Sequence, residues 1–427
     1  MQQIKLTRGL DVQLDGAAKL TDGQVVKPAV YQVIPDHFAG IKPHLLVREG
    51  DSVKVGSPLF NDKTFEQMLF TAPVSGKVTA IVRGERRKVL SINIEADARV
   101  EHEQFDTKQA LKDANALREL LLKSGLWPLI KQRPYDCIAM PNKTPRAIFI
   151  SAFDSAPLAP NYEFVLDGKE HYLQTAITAL KQIAPIYVGM RQGCRFKLSD
   201  CETYIVDGPH PAGNVGVQIN NIAPVNKGET IWTINIQDLK LIGKLLEKGI
   251  VSKRKRVALT GPMVKNPMYY DVIEGEPLQA LFANKVEEHN AMYIAGNALS
   301  GHQVELDEMV SLYDNQYTVI NNGADVHEMV GWYQPSFMRA GKQDARLKGG
   351  RRAIIVSGQY DSVFPMDIYP EQLIKAMIAG NIDRMEALGA YEVAPEDFAV
   401  AEYLCTSKMP LQAIVRTALD NLKQEVE

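Results

Sequence analysis

The sequence predicts a mixed α/β multidomain chain on three observations: a turn-punctuated β-type stretch over 30–95, strands alternating with helices over 108–250, and closely spaced amphipathic helices from about 370 onward. At 427 residues the chain exceeds the roughly 250–300 residues at which a single hydrophobic core stops growing, so several domains are expected. The divisions are expected at 1–105, 106–255, 256–330 and 331–427.

Each unit has its own signal. In the first, Leu45-Leu46-Val47 runs into Arg48-Glu49-Gly50-Asp51, and Val53 and Val55 alternate with polar residues before Gly56. Ala72-Pro73-Val74-Ser75-Gly76-Lys77-Val78 and Ile81-Val82 follow, and alternation with Gly and Pro punctuation predicts β-hairpins. The pair EGDSVKVGSPL and APVSGKV resembles the two half-motifs of a biotinyl/lipoyl-type sandwich. In such domains the attachment lysine sits at a hairpin tip, which makes Lys63, after Asp62, the candidate carrier residue, although its place four residues after Leu59 and ten before Pro73 is off-centre and favours an ordinary exposed loop lysine.

The second unit changes period. Leu111, Ala114, Leu117, Leu120 and Leu121 share a face of a helix expected over 110–123, with Gly125 as its stop. Strands are expected at Ala147–Ile150, Ile186–Val188 and Tyr204–Val206, and helices at 171–183 and about 237–248, the latter capped by Gly249. This alternation predicts a βαβ sheet domain. Short β-type runs over 256–322, including Val257-Ala258-Leu259 and Tyr317-Thr318-Val319-Ile320, predict a small α+β unit. In the last, Pro370, Pro395 and Pro410 each mark a first helical position, and Leu411, Ile414, Val415, Ala418, Leu419 and Leu422 form one stripe.

Composition excludes several function classes. The chain is 45% hydrophobic and 23% charged with a net charge of −3, which gives no global attraction for nucleic acid or anionic lipid. No apolar run approaches the ~18–20 residues of a membrane-spanning helix. The start, Met1-Gln2-Gln3-Ile4-Lys5-Leu6, has no secretory pattern, and four cysteines make no disulfide framework. A cytosolic chain is expected, reaching a membrane only through partners. Cations cluster at Arg83, Arg86, Arg87 and Lys88 and at Lys253-Arg254-Lys255-Arg256; both read by default as solvated faces, with a patch that meets the acidic surface of another subunit or lipid headgroups as the sharper reading, and no interleaved aromatics favour nucleic acid.

Motifs spread from end to end carry a family resemblance. They include Lys5-Leu6-Thr7-Arg8-Gly9-Leu10-Asp11, Ser124-Gly125-Leu126-Trp127, Arg133-Pro134, and Val206-Asp207-Gly208-Pro209-His210-Pro211-Ala212-Gly213. Trp232-Thr233-Ile234-Asn235, Gly243-Lys244-Leu245 and Met366-Asp367-Ile368-Tyr369-Pro370 follow in order. The chain resembles the NqrA family of the Na+-translocating NADH:quinone reductases, and in its domain order it is similar to the flavoprotein subunit of respiratory complex I and the C subunit of the Rnf complex.

The resemblance implies a biotinyl/lipoyl-like sandwich, a Rossmann-like α/β domain, a β-grasp (SLBB-like) unit and a C-terminal helical bundle. It implies a translocase whose whole complex couples NADH oxidation and ubiquinone reduction to sodium export. Within it this chain is a peripheral subunit on the cytoplasmic face of the bacterial inner membrane, bound to the membrane subunits of a six-subunit assembly and not catalytic in isolation.

No tightly bound cofactor is expected. Flavin-bearing relatives place a glycine-rich loop after a Ser-Gly-Leu-like helix end, whereas here Gly125 leads into Leu126-Trp127-Pro128-Leu129 without further glycines, so FMN is expected to be absent. Where those relatives carry an acidic stretch, this chain reads Ser151-Ala152-Phe153-Asp154-Ser155-Ala156-Pro157. Cys137, Cys194, Cys201 and Cys405 lack Cys-x-x-Cys spacing, so no Fe–S cluster is expected, and no zinc-type ligand pair occurs. The resemblance also implies a quinone contact, with Trp127, Arg133, Tyr135, Phe153 and His210 as candidates because a quinone needs an aromatic or aliphatic slot with one or two donors. Two other classes stay open: a redox subunit that holds flavin, and a carrier modified at Lys63.

Overall fold

The computed structural model describes residues 2–323, 345, 350–355 and 357–426; the boundary expected at 330/331 lies outside them. Among the described residues the strands form sheets of seven, six, four and three, with helices on the seven-stranded sheet and at the C-terminus.

The two half-motifs of the sandwich meet. Val53 pairs with Gly76, and the Gly50 amide donates to the Val78 carbonyl at 2.8 Å. A Cβ at Gly76 would stand 1.9 Å from the Glu95 carbonyl oxygen, so only glycine permits that strand approach. Phe38, Phe60 and Phe70 fill the core, with the Phe60 and Phe70 rings stacked at 4.6 Å. Lys63 is exposed at the turn between the Pro58–Asp62 and Leu69–Thr71 strands. The chain's beginning pairs elsewhere. Gln2–Lys5 lies parallel to Glu202–Asp207 in the seven-stranded sheet, and Asp22–Gly23 joins the six-stranded sheet beside Tyr269 and Tyr270.

The seven-stranded sheet runs Gln2–Lys5, Glu202–Asp207, Ile186–Met190, Ala147–Ser151, Ile231–Ile234, Ile130–Arg133, Cys137–Ile138. The first five are parallel. Period-2 alternation sends Ile148 and Ile150 toward the Glu170–Leu180 and Ile236–Lys248 helices, while Ala147 and Phe149 meet Ile219 of the Val215–Ile222 helix on the other face. Helices on both faces make the sheet doubly wound. From Ala147–Ser151 the chain steps to Ile186–Met190 on one side, then returns after Glu202–Asp207 to Ile231–Ile234 on the other. The carboxyl ends of Ala147–Ser151 and Ile231–Ile234 therefore flank a topological switch point, where such sheets open a crevice.

The first helix starts later than its periodicity suggests. It spans Ala114–Ser124 because Asp113 caps it, accepting from the Ala116 amide at 2.7 Å. Leu111 lies outside it and is exposed rather than on the buried face. Gly243 sets how closely two other helices approach. A methyl there would sit 1.8 Å from the Tyr172 carbonyl oxygen, so Gly243→Ala should cost about 1–3 kcal/mol in a urea titration; unchanged stability would refute this packing.

The six-stranded sheet corrects the reading of Lys253-Arg254-Lys255-Arg256 as a solvated face. Arg254–Thr260 is a strand between Met268–Ile273 and Gln316–Asn321, so side chains alternate. Lys253 and Lys255 are each only 2% exposed. Lys253 Nζ meets Glu274 and Lys255 Nζ meets Asp238, both at 2.7 Å.

At the C-terminus, Pro370 opens the Pro370–Ile378 helix as its first residue, and Pro395 opens a short 3₁₀ turn. The Leu411–Val426 stripe packs Leu411, Val415, Leu419 and Leu422 against Leu373, Phe398 and Leu404. No helix among the described residues is long and apolar enough to cross a membrane.

Candidate functional site

At the switch point lies a cleft of about 310 Å3, within the usual range for ligand sites. Its floor is made by strand ends: Ser151 and the following Phe153 and Asp154, and Thr233, Ile234 and Asn235. Asn235 caps the Ile236–Lys248 helix, accepting from the Gln237 amide at 2.9 Å, and donates to the Tyr162 hydroxyl at 3.1 Å. Tyr313 to Gln316 of the six-stranded sheet unit form a second wall, and Glu396 of the C-terminal unit a third.

The lining is polar and acidic. Asp136, Asp154, Asp238, Asp314 and Glu396 face it, against Lys131 and Arg133. Burial pushes the Asp154, Asp238 and Asp314 carboxyls above their usual range, although Lys255 opposes this at Asp238. Burial, and then the Asp397 charge, pushes the Glu396 carboxyl up to about 7. Its side chain is still 43% exposed, so solvent screens the effect.

Arg133 organises this end. It is 1% exposed, with guanidinium nitrogens 3.2 Å from Glu396, 3.4 Å from Asp397 and 3.9 Å from Asp136. Burial alone pushes the guanidinium down, but these three carboxylates raise it above its usual value. Burial likewise pushes Asp136 up, yet Lys131, Arg133 and Arg416 together hold it below the ordinary carboxylate range.

Of the five residues singled out in the sequence, Arg133 and Phe153 line the cleft, and Phe153 carries the Arg191 guanidinium 5.1 Å from its ring centre. The other three stand outside it. Trp127 is fully buried, donates from Nε1 to the Ala139 carbonyl at 2.7 Å and packs edge-on against Trp232. Tyr135 is buried beside Tyr391. His210 is 3% exposed, its Nδ1 2.9 Å from Ser155 Oγ. Ser155 Oγ also accepts from the Gly213 amide at 2.8 Å, so the hydroxyl joins the imidazole to the turn that follows it.

Sequence reasoning missed Asn235, Asp238, Tyr313 and Glu396. The signal for Asn235 was present, an asparagine between a strand and a periodic helix. Nothing local marks the others.

Burial lowers the His210 pKa from 6.5 to about 4, so the fold favours its neutral form. Stability from this residue is complete above pH 6.5 and is lost as pH falls through about 4. The shift is worth roughly 3 kcal/mol. His210→Gln should therefore flatten the fall in stability between pH 6.5 and 4, read as urea midpoints; parallel pH curves for the two proteins would refute it.

Around the cleft, the turn after Gly125 is packed shut. A Cβ at Gly125 would stand 2.5 Å from Thr71 Oγ1. The Leu126, Leu129 and Ile130 amides donate to Leu121, Leu126 and Trp127 carbonyls. Among the described residues no group of three or more His, Cys, Asp or Glu could hold a metal ion, and the four cysteines are free thiols.

Three family models match the chain: the NqrA N-terminal barrel-sandwich hybrid domain over 4–97, the NqrA second alpha/beta domain over 112–251, and the NQRA C-terminal domain over 256–305. The chain is 33% identical over 453 residues to the A subunit of the Na(+)-translocating NADH-quinone reductase of Yersinia pseudotuberculosis serotype O:1b, covering 99% of this chain and 100% of that one. It is 31% identical over 454 residues to the corresponding protein of Alcanivorax borkumensis, again covering 99% and 100%. With that of Pseudomonas aeruginosa it shares 31% over 449 residues at the same coverage. A solved NAD+-reducing [NiFe]-hydrogenase chain is similar at 12% identity and a TM-score of 0.36, covering 64% of this chain and 57% of that one.

Proposed function

The chain belongs to the NqrA family, and from that premise we propose that it serves as the A subunit of a Na+-translocating NADH-quinone reductase, within a complex that couples NADH oxidation and quinone reduction to sodium export. The observation that carries the reading is end-to-end similarity: 99% of this chain aligns with 100% of the Yersinia protein. Its partners are the five other subunits of that six-subunit complex, and it sits as a peripheral subunit on the cytoplasmic face of the bacterial inner membrane, held by membrane subunits. Tagging the chain and purifying it from solubilised membranes should recover those partners together with NADH-driven, sodium-dependent quinone reduction. Recovery of the chain alone from membranes with an intact complex would sink the assignment.

We propose that the chain itself works without flavin or Fe–S. Two observations support this. The turn after Gly125, where a phosphate would need free amides, commits those of Leu126, Leu129 and Ile130 internally, has a proline at 128 and is packed against Thr71. The neighbouring cleft is acid-rich and would repel a phosphate. A flavin absorption band in natively purified protein would remove this reading.

The quinone contact falls to Phe153 and Arg133, the two candidates on the cleft. Titration with a short-chain ubiquinone should show saturable binding that Phe153→Ala weakens; an unsaturable signal ends this part. The four-unit division at 105, 255 and 330 is likewise proposed, and limited proteolysis should cut near 105 and 330 but not at 255, which lies in the enclosed Arg254–Thr260 strand.

A further inference from the structure

A second cavity, of about 420 Å3, opens where the sandwich meets the end of the Ile236–Lys248 helix and the start of the six-stranded sheet unit. Its walls are apolar, with Pro28, Tyr31, Val55, Val74, Val251 and Ile273 among them. Cations gather at the same place. Lys27, Lys244 and Arg254 line it, against a lone lining carboxylate, Asp97.

These cations have no ion-pair partner among the described residues, unlike neighbouring Lys253, which Glu274 holds at 2.7 Å. Glu276, behind Tyr31, does not neutralise them fully, because burial pushes its carboxyl up to about 7. Burial, with Arg254 and Lys169 as like charges, pushes the Lys244 amine below its usual value. His102 also lines the cavity, and its Nδ1 is buried without a hydrogen-bond partner among the described residues. Buried polar atoms are nearly always satisfied, so this one points to a partner from outside the chain. An apolar chamber ringed by incompletely compensated cations matches a ligand with an apolar body and an anionic head.

We propose that this cavity binds a single-chain amphiphilic anion, a fatty carboxylate of medium length, with its chain on the Tyr31–Val251 walls and its head on Lys244, Arg254 and His102. The volume lies in the lower part of the usual ligand-site range and has no room for the paired chains of a phospholipid. The site is separate from the switch-point cleft, so its failure leaves the proposed role in the reductase standing.

Laurate binding to the full chain, followed by displacement of 1-anilinonaphthalene-8-sulfonate fluorescence, tests this. Saturable displacement is expected, weakening with added salt. Lys244→Gln with Arg254→Gln should weaken it roughly tenfold or more, and Lys27→Glu, at an exposed side chain, should weaken it without touching the core. Dodecanol, with the same chain and no charge, should compete poorly. Dodecanol matching laurate, or laurate affinity indifferent to the variants in protein whose melting is unchanged, overturns the proposal. So does sedimentation with anionic phospholipid vesicles through these residues while laurate displaces nothing.

Discussion

Arg133→Met should be among the most destabilising single substitutions in the chain, costing about 3–5 kcal/mol at pH 8. The guanidinium is the shared counter-ion of Asp136, Glu396 and Asp397, and Asp397 has no exposed side-chain surface. Methionine fills similar volume but leaves a carboxylate buried without its cation. The deficit should depend on pH in a definite direction. Burial already raises the Asp397 and Glu396 pKa values, and loss of Arg133 raises them further. An acid whose folded pKa lies above its unfolded value contributes stability that is full at low pH and is lost as pH rises. The gap between variant and parent should therefore be wide at pH 8 and narrow at pH 5. Urea midpoints at both pH values provide the test. A loss below about 1 kcal/mol at pH 8, or a gap that does not change with pH, contradicts the account.

Lys253→Met should cost a similar amount, about 3–5 kcal/mol, for a related reason. Lys253 Nζ reaches Glu274 at 2.7 Å and donates to the Thr71 carbonyl at 2.7 Å, which ties the sandwich to the six-stranded sheet unit. Both ionic side chains are almost wholly enclosed. Removing one partner strands the other, whereas replacing both with apolar residues restores much of the loss. The pair Lys253→Met with Glu274→Leu should therefore be more stable than Lys253→Met alone. A double variant no better than the single one would show that the lysine acts through something other than this carboxylate.

Local signals in the sequence carried much of the fold. The strand expected over Ala147–Ile150 lies at Ala147–Ser151, and the helix expected from about 237 to 248 lies at Ile236–Lys248, because three-turn periodicity and a glycine stop are short-range facts. The mixed α/β architecture followed from such segments taken together. The basic run at 253–256 shows the limit. Alternation in a strand puts two of its cations inside, but the carboxylates that make this tolerable, Glu274 and Asp238, come from elsewhere in the chain. The cleft was less legible. Arg133 meets Glu396 across 263 positions, and no local pattern announces a contact of that span. Trp127 and His210 are motif residues whose aromatic or polar character suggested a ligand, yet their partners are a backbone carbonyl and a serine hydroxyl.

The pairing of Gln2–Lys5 with Glu202–Asp207 has a consequence for how the chain is made. A ribosome delivers the first strand early and its partner only about 200 residues later, a wait of roughly 10–40 s at ordinary elongation rates. The sandwich over Val30–Ala96 can close while that happens, since its pairings are internal to it. The leading strand cannot. It must stay without this partner until the parallel sheet emerges, and an unpaired strand of that kind is open meanwhile to pairing with another chain.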